Sequence, residues 1–327
     1  MKARNIIKVL LSVALVFAAT VDCSAQFLNN LKGKLKEAVV EKVSQNSNVA
    51  AAVAQKSGDV KFKNVLYVSA ERGSARSQGT KDAPLRDVQK AINMANDGDV
   101  IRIAEGNYLG NLDRGWLEIK EKYVSLEGGW NNDFTERNPL KYVTRIQPGK
   151  EQAGTIARAA LLIECLKNPD QTIVIDGVFF DLGMMLEYCK ADPSDPRYGC
   201  PEGCETGRVM PVGNPPNKTV RLLGGKVAGR LIVRNCMFLN ASFNGIIMTN
   251  MGGFWEIYNN VFVSNLYASC EITGGLNQQN NAHKSHVDFH HNTVMFSWPT
   301  TKEMESMGYG YRFRNGCDHT CLLYTSD

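Results

Sequence analysis

Short runs of apolar residues follow one another from Lys61 onward, and Gly, Asn and Asp separate them. This pattern predicts short β-strands joined by tight turns. The predicted strands are Val65–Ser69, Val100–Ala104, Tyr123–Glu127, Thr172–Phe180, Leu231–Phe238, Phe254–Val263, Val287–Phe296 and Tyr309–Asn315.

Two segments have helical spacing instead. The first is Leu85–Asn96, where apolar residues form a single stripe, Pro84 begins the helix and Gly98 ends it. The second lies near the N-terminus, where apolar residues recur every four positions among Lys and Glu, which predicts an amphipathic helix. Its apolar residues are Phe27, Leu31, Leu35, Val39 and Val43. We assign residues 26–60 to this helix and a polar linker.

Four segments share one template, in which an apolar residue is followed by an Asn, Asp or His and then by a large apolar residue. The copies are Val174–Phe179, Val233–Phe238, Ile257–Phe262 and Phe289–Val294. A period of about two dozen residues indicates a solenoid, in which each coil buries its apolar face against the next. We expect Asn residues at the same turn of successive coils to hydrogen-bond along the stack.

Two motifs carry a family resemblance. The segments Gly79-Thr-Lys-Asp-Ala-Pro-Leu85 and Asp97-Gly-Asp-Val-Ile-Arg-Ile103 resemble the opening of right-handed parallel β-helix proteins of the pectin-lyase-like superfamily, especially exported bacterial members with a domain of unknown function. Val124–Trp130 is similar to their second coil. The resemblance covers about residues 62 to 316 and implies an all-β fold: a right-handed, single-stranded parallel β-helix with an N-terminal capping helix, over residues 61–320. One such fold supports many functions.

The N-terminus has the pattern of an export signal. Lys2, Arg4 and Lys8 precede an apolar stretch, and small residues end at Ala25. We therefore predict a signal peptide at 1–25 and a secreted, periplasmic or cell-surface protein. Cys23 raises the alternative of a lipoprotein, but the charged Asp22 before it favours the soluble signal.

Composition excludes several classes of protein. The chain has 327 residues, of which 43% are hydrophobic, and a formal net charge of +4. It is too apolar for a disordered protein and too weakly charged to indicate a nucleic-acid partner. The apolar run Val9–Thr20 is too short to span a bilayer, so we do not expect an integral membrane protein.

Cysteine spacing adds a second expectation. Cys189, Cys200 and Cys204 lie in a Pro-, Gly- and Asp-rich insertion at about 182–221. In an exported protein two of these three would form a disulfide, whereas a metal site would lack a fourth ligand. Cys236 and Cys270 lie in apolar runs and are predicted core residues.

The C-terminus is predicted to be incomplete. Residues 321–327, which include Cys321, resemble translated adapter sequence and are interpreted as a non-native tail. No capping element follows the last predicted coil, so we expect that the natural solenoid continues beyond it.

Candidate chemistry concentrates in His286–Val294. On a strand, His286, Asp288 and His290 share one face, while Val287 and Phe289 point into the core. Phe289–Asn292 resembles a segment of one pectate lyase family, in which an Arg base follows. Here no Arg lies near Pro299, and Arg312 is the nearest substitute.

The resemblance implies His290 and Arg312 as catalytic residues, and a polysaccharide lyase would use a cation to neutralise the sugar carboxylate. We assign Asp288 to a metal, with calcium as the expected cofactor, and His286 and Trp298 to substrate. The alternative interpretation is that His286 and His290 are solvent-exposed residues of the outer wall.

Two functional hypotheses result. The first is an exported β-helix protein that binds or processes polysaccharide or surface glycan at the cell envelope, without an assigned catalytic activity. The second is a pectate-lyase-like polysaccharide lyase, or a glycoside hydrolase, that acts on acidic polysaccharide such as pectate. The paired acids of polygalacturonase-type hydrolases, Asp-Asp and Asn-Thr-Asp, are absent from the sequence.

Overall fold

Short strands dominate the structure, a computed structural model that describes residues 60–110, 117–148, 159–182, 187–190, 209–212, 221–241, 243–265, 267–275, 285–295, 297, 308–314 and 317–322. The strands in chain order are β1 (Val65–Val68), β2 (Val100–Ala104), β3 (Gly106–Gly110), β4 (Leu117–Lys120), β5 (Ser125–Trp130), β6 (Thr144–Pro148), β7 (Ala159–Cys165), β8 (Thr172–Asp176), β9 (Val178–Asp181), β10 (Glu187–Lys190), β11 (Val209–Val212), β12 (Arg221–Val227), β13 (Arg230–Arg234), β14 (Met237–Leu239), β15 (Asn244–Asn250), β16 (Phe254–Tyr258), β17 (Val261–Val263), β18 (Ala268–Gly274), β19 (Ser285–His290), β20 (Thr293–Met295), β21 (Tyr309–Arg314) and β22 (Cys317–Leu322).

Three parallel sheets contain all of these strands except β10 and β11. Sheet 1 has the order β1-β2-β5-β8-β13-β16-β19-β22, sheet 2 the order β3-β6-β9-β14-β17-β20, and sheet 3 the order β4-β7-β12-β15-β18-β21. From β2 onward the chain visits sheets 1, 2 and 3 in turn and then returns to sheet 1 beside its previous strand. This is a parallel β-helix, so the predicted fold class is confirmed.

The longest predicted strands are each split at a sharp bend between sheet 1 and sheet 2. The bend residues are Gly177, Asn235, Asn259 and His291, with φ angles of 68°, 53°, 55° and 53°. Gly and Asn tolerate this left-handed conformation better than most residues. The Gly, Asn or His that follows the strand of sheet 1 in these four repeats is therefore the corner of the coil.

The repeat template was correct for three copies and wrong by one position for the first. Val233 pairs with Ile175 in sheet 1, so Ile175 is the first residue of that copy. Val174 aligns with Ile232 instead and lies on the outward side of the strand, although it is only 2% exposed. The core positions of β8 are accordingly Ile173 and Ile175.

Asparagines stack along the inside of the same corner, as predicted. The Asn260 side-chain oxygen accepts from the backbone N–H of Cys236 at 3.0 Å, and the Asn292 oxygen accepts from the backbone N–H of Asn260 at 3.0 Å. Each amide nitrogen donates to a carbonyl in the coil interior, Val233 for Asn260 and Ile257 for Asn292. The stack thus satisfies backbone groups at a bend where no sheet ladder reaches them.

The interior between the sheets is apolar. Phe180, Phe238 and Phe262 stack in register, with ring centroids 5.4 and 4.9 Å apart. Cys236 and Cys270 are buried in this core, as predicted. Burial raises the pKa of Cys236 to about 12, and burial likewise raises the pKa of Cys165 to about 12. Cys236 and Cys165 are not in disulfide bonds.

One helix, α1 (Val88–Met94), contacts β1, β2 and β4 at the start of the solenoid. Asp87 caps it by accepting from the N–H of Lys90, and the Lys122 ammonium donates to the carbonyls of Asn93 and Ala95 at 2.7 and 3.0 Å. The helix is shorter than predicted because Leu85 bonds to the backbone of Tyr67 and extends the β1 pairing. The capping position agrees with the prediction.

The remaining predicted segments lie partly or wholly outside the described residues. These include the signal peptide, the amphipathic helix, Cys200 and Cys204, while for Cys189 the backbone alone is described. Between β9 and β12 in sequence, β10 and β11 form an antiparallel pair. The predicted tail begins inside β22, whose residues Cys321 and Leu322 pair with Phe289 and His290.

Candidate functional site

The sequence-predicted cluster lies on β19, which alternates between buried and partly exposed residues. Val287 and Phe289 point into the core, and His286, Asp288 and His290 lie on the outer side of sheet 1. The predicted shared face of these three residues is confirmed.

Strand pairing places specific neighbours beside this cluster. In β16, Phe254 pairs with His286, Glu256 with Asp288, and Tyr258 with His290. In β13, Leu231 pairs with Trp255 and Arg234 with Tyr258, so the outward residues of β13 lie in register with those of β16. We define the candidate face as the outward residues of these strands: Arg230, Ile232, Arg234, Phe254, Glu256, Tyr258, His286, Asp288 and His290.

Two aromatic–histidine stacks bound the candidate face. The rings of Phe254 and His286 are 5.0 Å apart and nearly parallel, at 4°. The rings of Tyr258 and His290 are also 5.0 Å apart, at 10°. The two stacks differ in exposure, because Phe254 is 46% exposed whereas Tyr258 is 5% exposed. Of these two aromatic side chains, Phe254 is therefore the one that a ligand can reach.

Two paired carboxylates, Glu256 and Asp288, lie between the two aromatic–histidine stacks. Glu256 is buried, and its Oε2 accepts from Nε and Nη2 of Arg230 at 2.8 and 2.5 Å. Asp288, on the neighbouring strand, has a side chain that is 31% exposed, and its Oδ2 lies 3.9 Å from Nε2 of His290. One carboxylate is thus closed by an arginine, and the other is open to solvent.

A polar row continues from the candidate face toward the start of sheet 1. Register aligns Arg102, Glu127, Asp176, Arg234, Tyr258 and His290 on six successive strands. Asp176 is the centre of this row: it accepts from Nη2 of Arg137 at 2.6 Å and from Nε of Arg234 at 2.7 Å.

Burial pushes the pKa of Asp176 upward, but the guanidinium groups of Arg137 and Arg234 outweigh it and hold the pKa below its usual range. Burial lowers the pKa of Arg234, but Asp176 more than compensates and raises it above its ordinary value. Arg234 then donates from Nη1 to the Tyr258 hydroxyl at 3.0 Å. The row therefore fixes Tyr258, on which His290 stacks.

Arg312 does not join this cluster. It lies on β21 in sheet 3, where it pairs with Glu271, whereas His290 lies in sheet 1. Its Nη1 donates to the Tyr267 hydroxyl at 2.6 Å, and its guanidinium carbon lies 5.1 Å from the ring centroid of Tyr309. The segment from β19 to β21 turns two corners of the coil, so Arg312 faces a different wall from His290. The prediction that these two residues share one site is therefore wrong, because the topology places them on different sheets.

Other predicted site features remain predictions. Trp298 lies outside the described residues. Within the part of the chain that the structure describes, no group of three or more His, Cys, Asp or Glu side chains is arranged to hold a metal ion. The assignment of calcium to Asp288 therefore stays a prediction, and the described residues do not supply further ligands for it.

Sequence reasoning missed Arg230, Phe254, Glu256 and Tyr258. The signal was present in the repeat template, because aligning Ile257 with Phe289 places Glu256 beside Asp288 and Phe254 beside His286. Single-strand reasoning about β19 did not use the strand before it.

Comparisons with known proteins add distant resemblances. No family model matches the chain, and no curated protein matches it. Among solved structures, pectin methylesterase PemA from Erwinia chrysanthemi is 10% identical, with 72% of this chain and 67% of that chain covered and a TM-score of 0.32. The GH136 lacto-N-biosidase from Eubacterium ramulus is 11% identical, with coverages of 90% and 65% and a TM-score of 0.33. Pectate lyase Pel9A is 12% identical, with coverages of 82% and 80% and a TM-score of 0.24.

At such TM-scores and identities these resemblances carry no argument about activity, and the fold rests on the sheets of this chain. The structure shows no helix, among the residues it describes, that is long and apolar enough to cross a membrane.

Proposed function

We propose that this chain is an exported β-helix protein that binds glycan at the cell envelope through the candidate face on sheet 1. The export signal predicted at residues 1–25 supports the location. The aromatic and polar groups of the candidate face support the ligand class.

The observation that carries the proposal is the exposed Phe254 ring, stacked on His286 beside an open carboxylate. Sugar rings present apolar C–H faces and a rim of hydroxyls. An exposed aromatic ring packs against such a face, and a carboxylate accepts hydrogen bonds from the hydroxyls. Scattered exposed apolar residues are ordinary, but here the ring, the acceptor and the Arg230 donors share one small face.

Affinity electrophoresis in gels containing individual soluble polysaccharides tests the proposal. We expect at least one polysaccharide to retard the protein, and Phe254→Ala to weaken that binding about tenfold, since burying a Phe side chain contributes roughly 1.5–3 kcal/mol. Leu140→Ala is the matched control, because Leu140 is 69% exposed and lies outside the candidate face. Equal retardation of both variants would overturn the assignment of this face.

A second candidate function, glycan cleavage, is favoured by one observation: Glu256 and Asp288 are register neighbours on adjacent strands. Strands in a sheet lie about 4.8 Å apart, and retaining glycosidases place two carboxyl groups about 5–5.5 Å apart. The two hydrogen bonds from Arg230 would hold Glu256 in place as the nucleophile, and Asp288 would then act as the acid.

Cleavage is tested by incubating the polysaccharide that the protein binds with wild type and with Asp288→Asn. Hydrolysis releases reducing ends, and elimination produces an unsaturated product that absorbs in the ultraviolet. If the wild type releases reducing ends and Asp288→Asn loses most of that activity, the face is catalytic. If neither product forms, glycan binding alone remains.

A further inference from the structure

We propose that the candidate face recognises an uncharged polysaccharide and discriminates against polyuronates; this inference rests on the proposed glycan-binding function and names its substrate class. It differs from the acidic substrate that the sequence hypothesis of a pectate-lyase-like enzyme implied. The pairing of charges on the outer side of sheet 1 supports this inference.

Every arginine that the described residues place on this side already faces a carboxylate. Arg102 lies 2.9 Å from Glu127, and Arg230 lies 2.5 Å from Glu256. Arg137 and Arg234 lie 2.6 and 2.7 Å from the two oxygens of Asp176. The four arginines are balanced by three carboxylates in contact, and Arg137 lies a further 3.9 Å from Glu127.

Asp288, the remaining carboxylate on strands β2 to β19 of this side whose side chain is described, has no arginine or lysine within ion-pair distance among the described residues. Its ion-pair neighbour is His290 at 3.9 Å. Counted together, the four arginines and four carboxylates cancel, and the open charge at the centre of the candidate face is negative. The exposed ring of Phe254 lies one strand away from it.

A polyuronate carries one carboxylate on each sugar, so binding it requires cations that are not already neutralised. Here such a ligand would approach Asp288 against like charge. An uncharged glycan meets no such penalty: Asp288 accepts from its hydroxyls, and the guanidinium of Arg230 keeps N–H donors beyond the two that Glu256 occupies. The pairing pattern therefore selects by charge, whereas Phe254 binds either class.

The experiment measures binding of polygalacturonate and of uncharged galactan, arabinan, xylan and glucomannan by isothermal titration calorimetry, with chelator present, at low and high NaCl. We expect an uncharged polymer to bind at least about tenfold more tightly than polygalacturonate, with little dependence on NaCl. Glu256→Gln releases the charge of Arg230 and should raise affinity for polygalacturonate several-fold at low NaCl.

Glu136→Gln is the matched control, since Glu136 has an exposed side chain in a loop and its replacement makes the same change in net charge. If Glu256→Gln fails to fold, Asp288→Asn removes the open charge without disturbing the Arg230 contact. It should likewise raise polygalacturonate affinity.

The outcomes separate the two proposals. Binding of polygalacturonate as tightly as any uncharged polymer, lost in Phe254→Ala, overturns the charge inference and leaves glycan binding intact. The same holds if tight polygalacturonate binding appears on adding calcium. Failure of every polymer to bind overturns the proposed function itself. Binding of an uncharged polymer with no response to Glu256→Gln or Asp288→Asn overturns the role assigned to charge pairing.

Discussion

The outer side of sheet 1 uses its charges differently along its length. Toward the start of the sheet, Arg102, Glu127, Arg137 and Asp176 form a closed network in which Asp176 is 1% exposed and contacts two guanidiniums. On β16 and β19, Phe254 is exposed and Asp288 is open. The strands belong to one parallel sheet and present these groups on the same outer side. The contrast shows that outward positions of one sheet either stabilise the solenoid, when their charges are paired with one another, or remain available to a ligand.

The largest expected effect on stability is in this closed network, which we call the closed half of the outer side; β16 and β19 form the open half. Asp176→Ala leaves the guanidiniums of Arg137 and Arg234 without their carboxylate partner, and removing one partner of a buried ion pair costs about 3–5 kcal/mol. Urea unfolding followed by circular dichroism measures the change. Asp288→Ala is the control. If the two variants lose similar stability, the two halves do not differ as described.

The second expected effect is the pH dependence of stability, which should be confined to the closed half. The pKa of Asp176 is lowered in the folded protein, so its stabilising contribution is complete above the unfolded value of about 3.9 and is lost as pH falls through the folded value. We expect Asp176→Asn to be less stable than wild type at neutral pH, and the difference to shrink in strong acid. Unfolding free energies measured from neutral pH downward give the two curves. A constant gap between them would contradict the sign.

Glu256 lies between these extremes. Its side chain is 11% exposed and that of Arg230 is 32% exposed, so the pair is more solvated than the Asp176 cluster. Glu256→Gln keeps an acceptor for Arg230 and should cost about 1 kcal/mol. Differential scanning calorimetry measures it. A loss as large as that of Asp176→Ala would assign Glu256 to the closed half.

The smallest effect on stability is expected at Asp288. Asp288→Asn changes a partly exposed group with one distant histidine neighbour, and its unfolding free energy should stay within about 0.5 kcal/mol of wild type. The same variant should nevertheless change glycan affinity, measured in parallel by calorimetry. A destabilised Asp288→Asn protein would show that this carboxylate supports the fold.

The repeat template predicted the solenoid because apolar, turn and apolar positions recur in sheets 1 and 2 with the identities that the core and the corner require. It did not predict the strands β4, β7, β12, β15 and β18 of sheet 3. Residues such as those of Ala159–Cys165 form a nearly continuous buried run, in which periodicity does not separate strand from helix.

The candidate site was predicted only in part for a similar reason. Alternation along one strand placed His286, Asp288 and His290 on one side correctly. Their partners depend on which residues lie opposite, and Arg312 depends on how many corners separate it from β19. Such relations are set by tertiary register, and counting along the sequence did not reveal them.

The parallel ladder on either side of the β10–β11 segment has an evolutionary consequence. The chain leaves sheet 2 at Asp181 and enters sheet 3 at Arg221, yet β12 still pairs with β7 and β13 with β8, as if nothing intervened. The free-energy cost of closing a loop grows only slowly with its length. A corner of this solenoid can therefore gain or lose an insertion while every strand keeps its neighbours in the sheets. Sequence changes at the corners are thus separated from the conservation of the sheets.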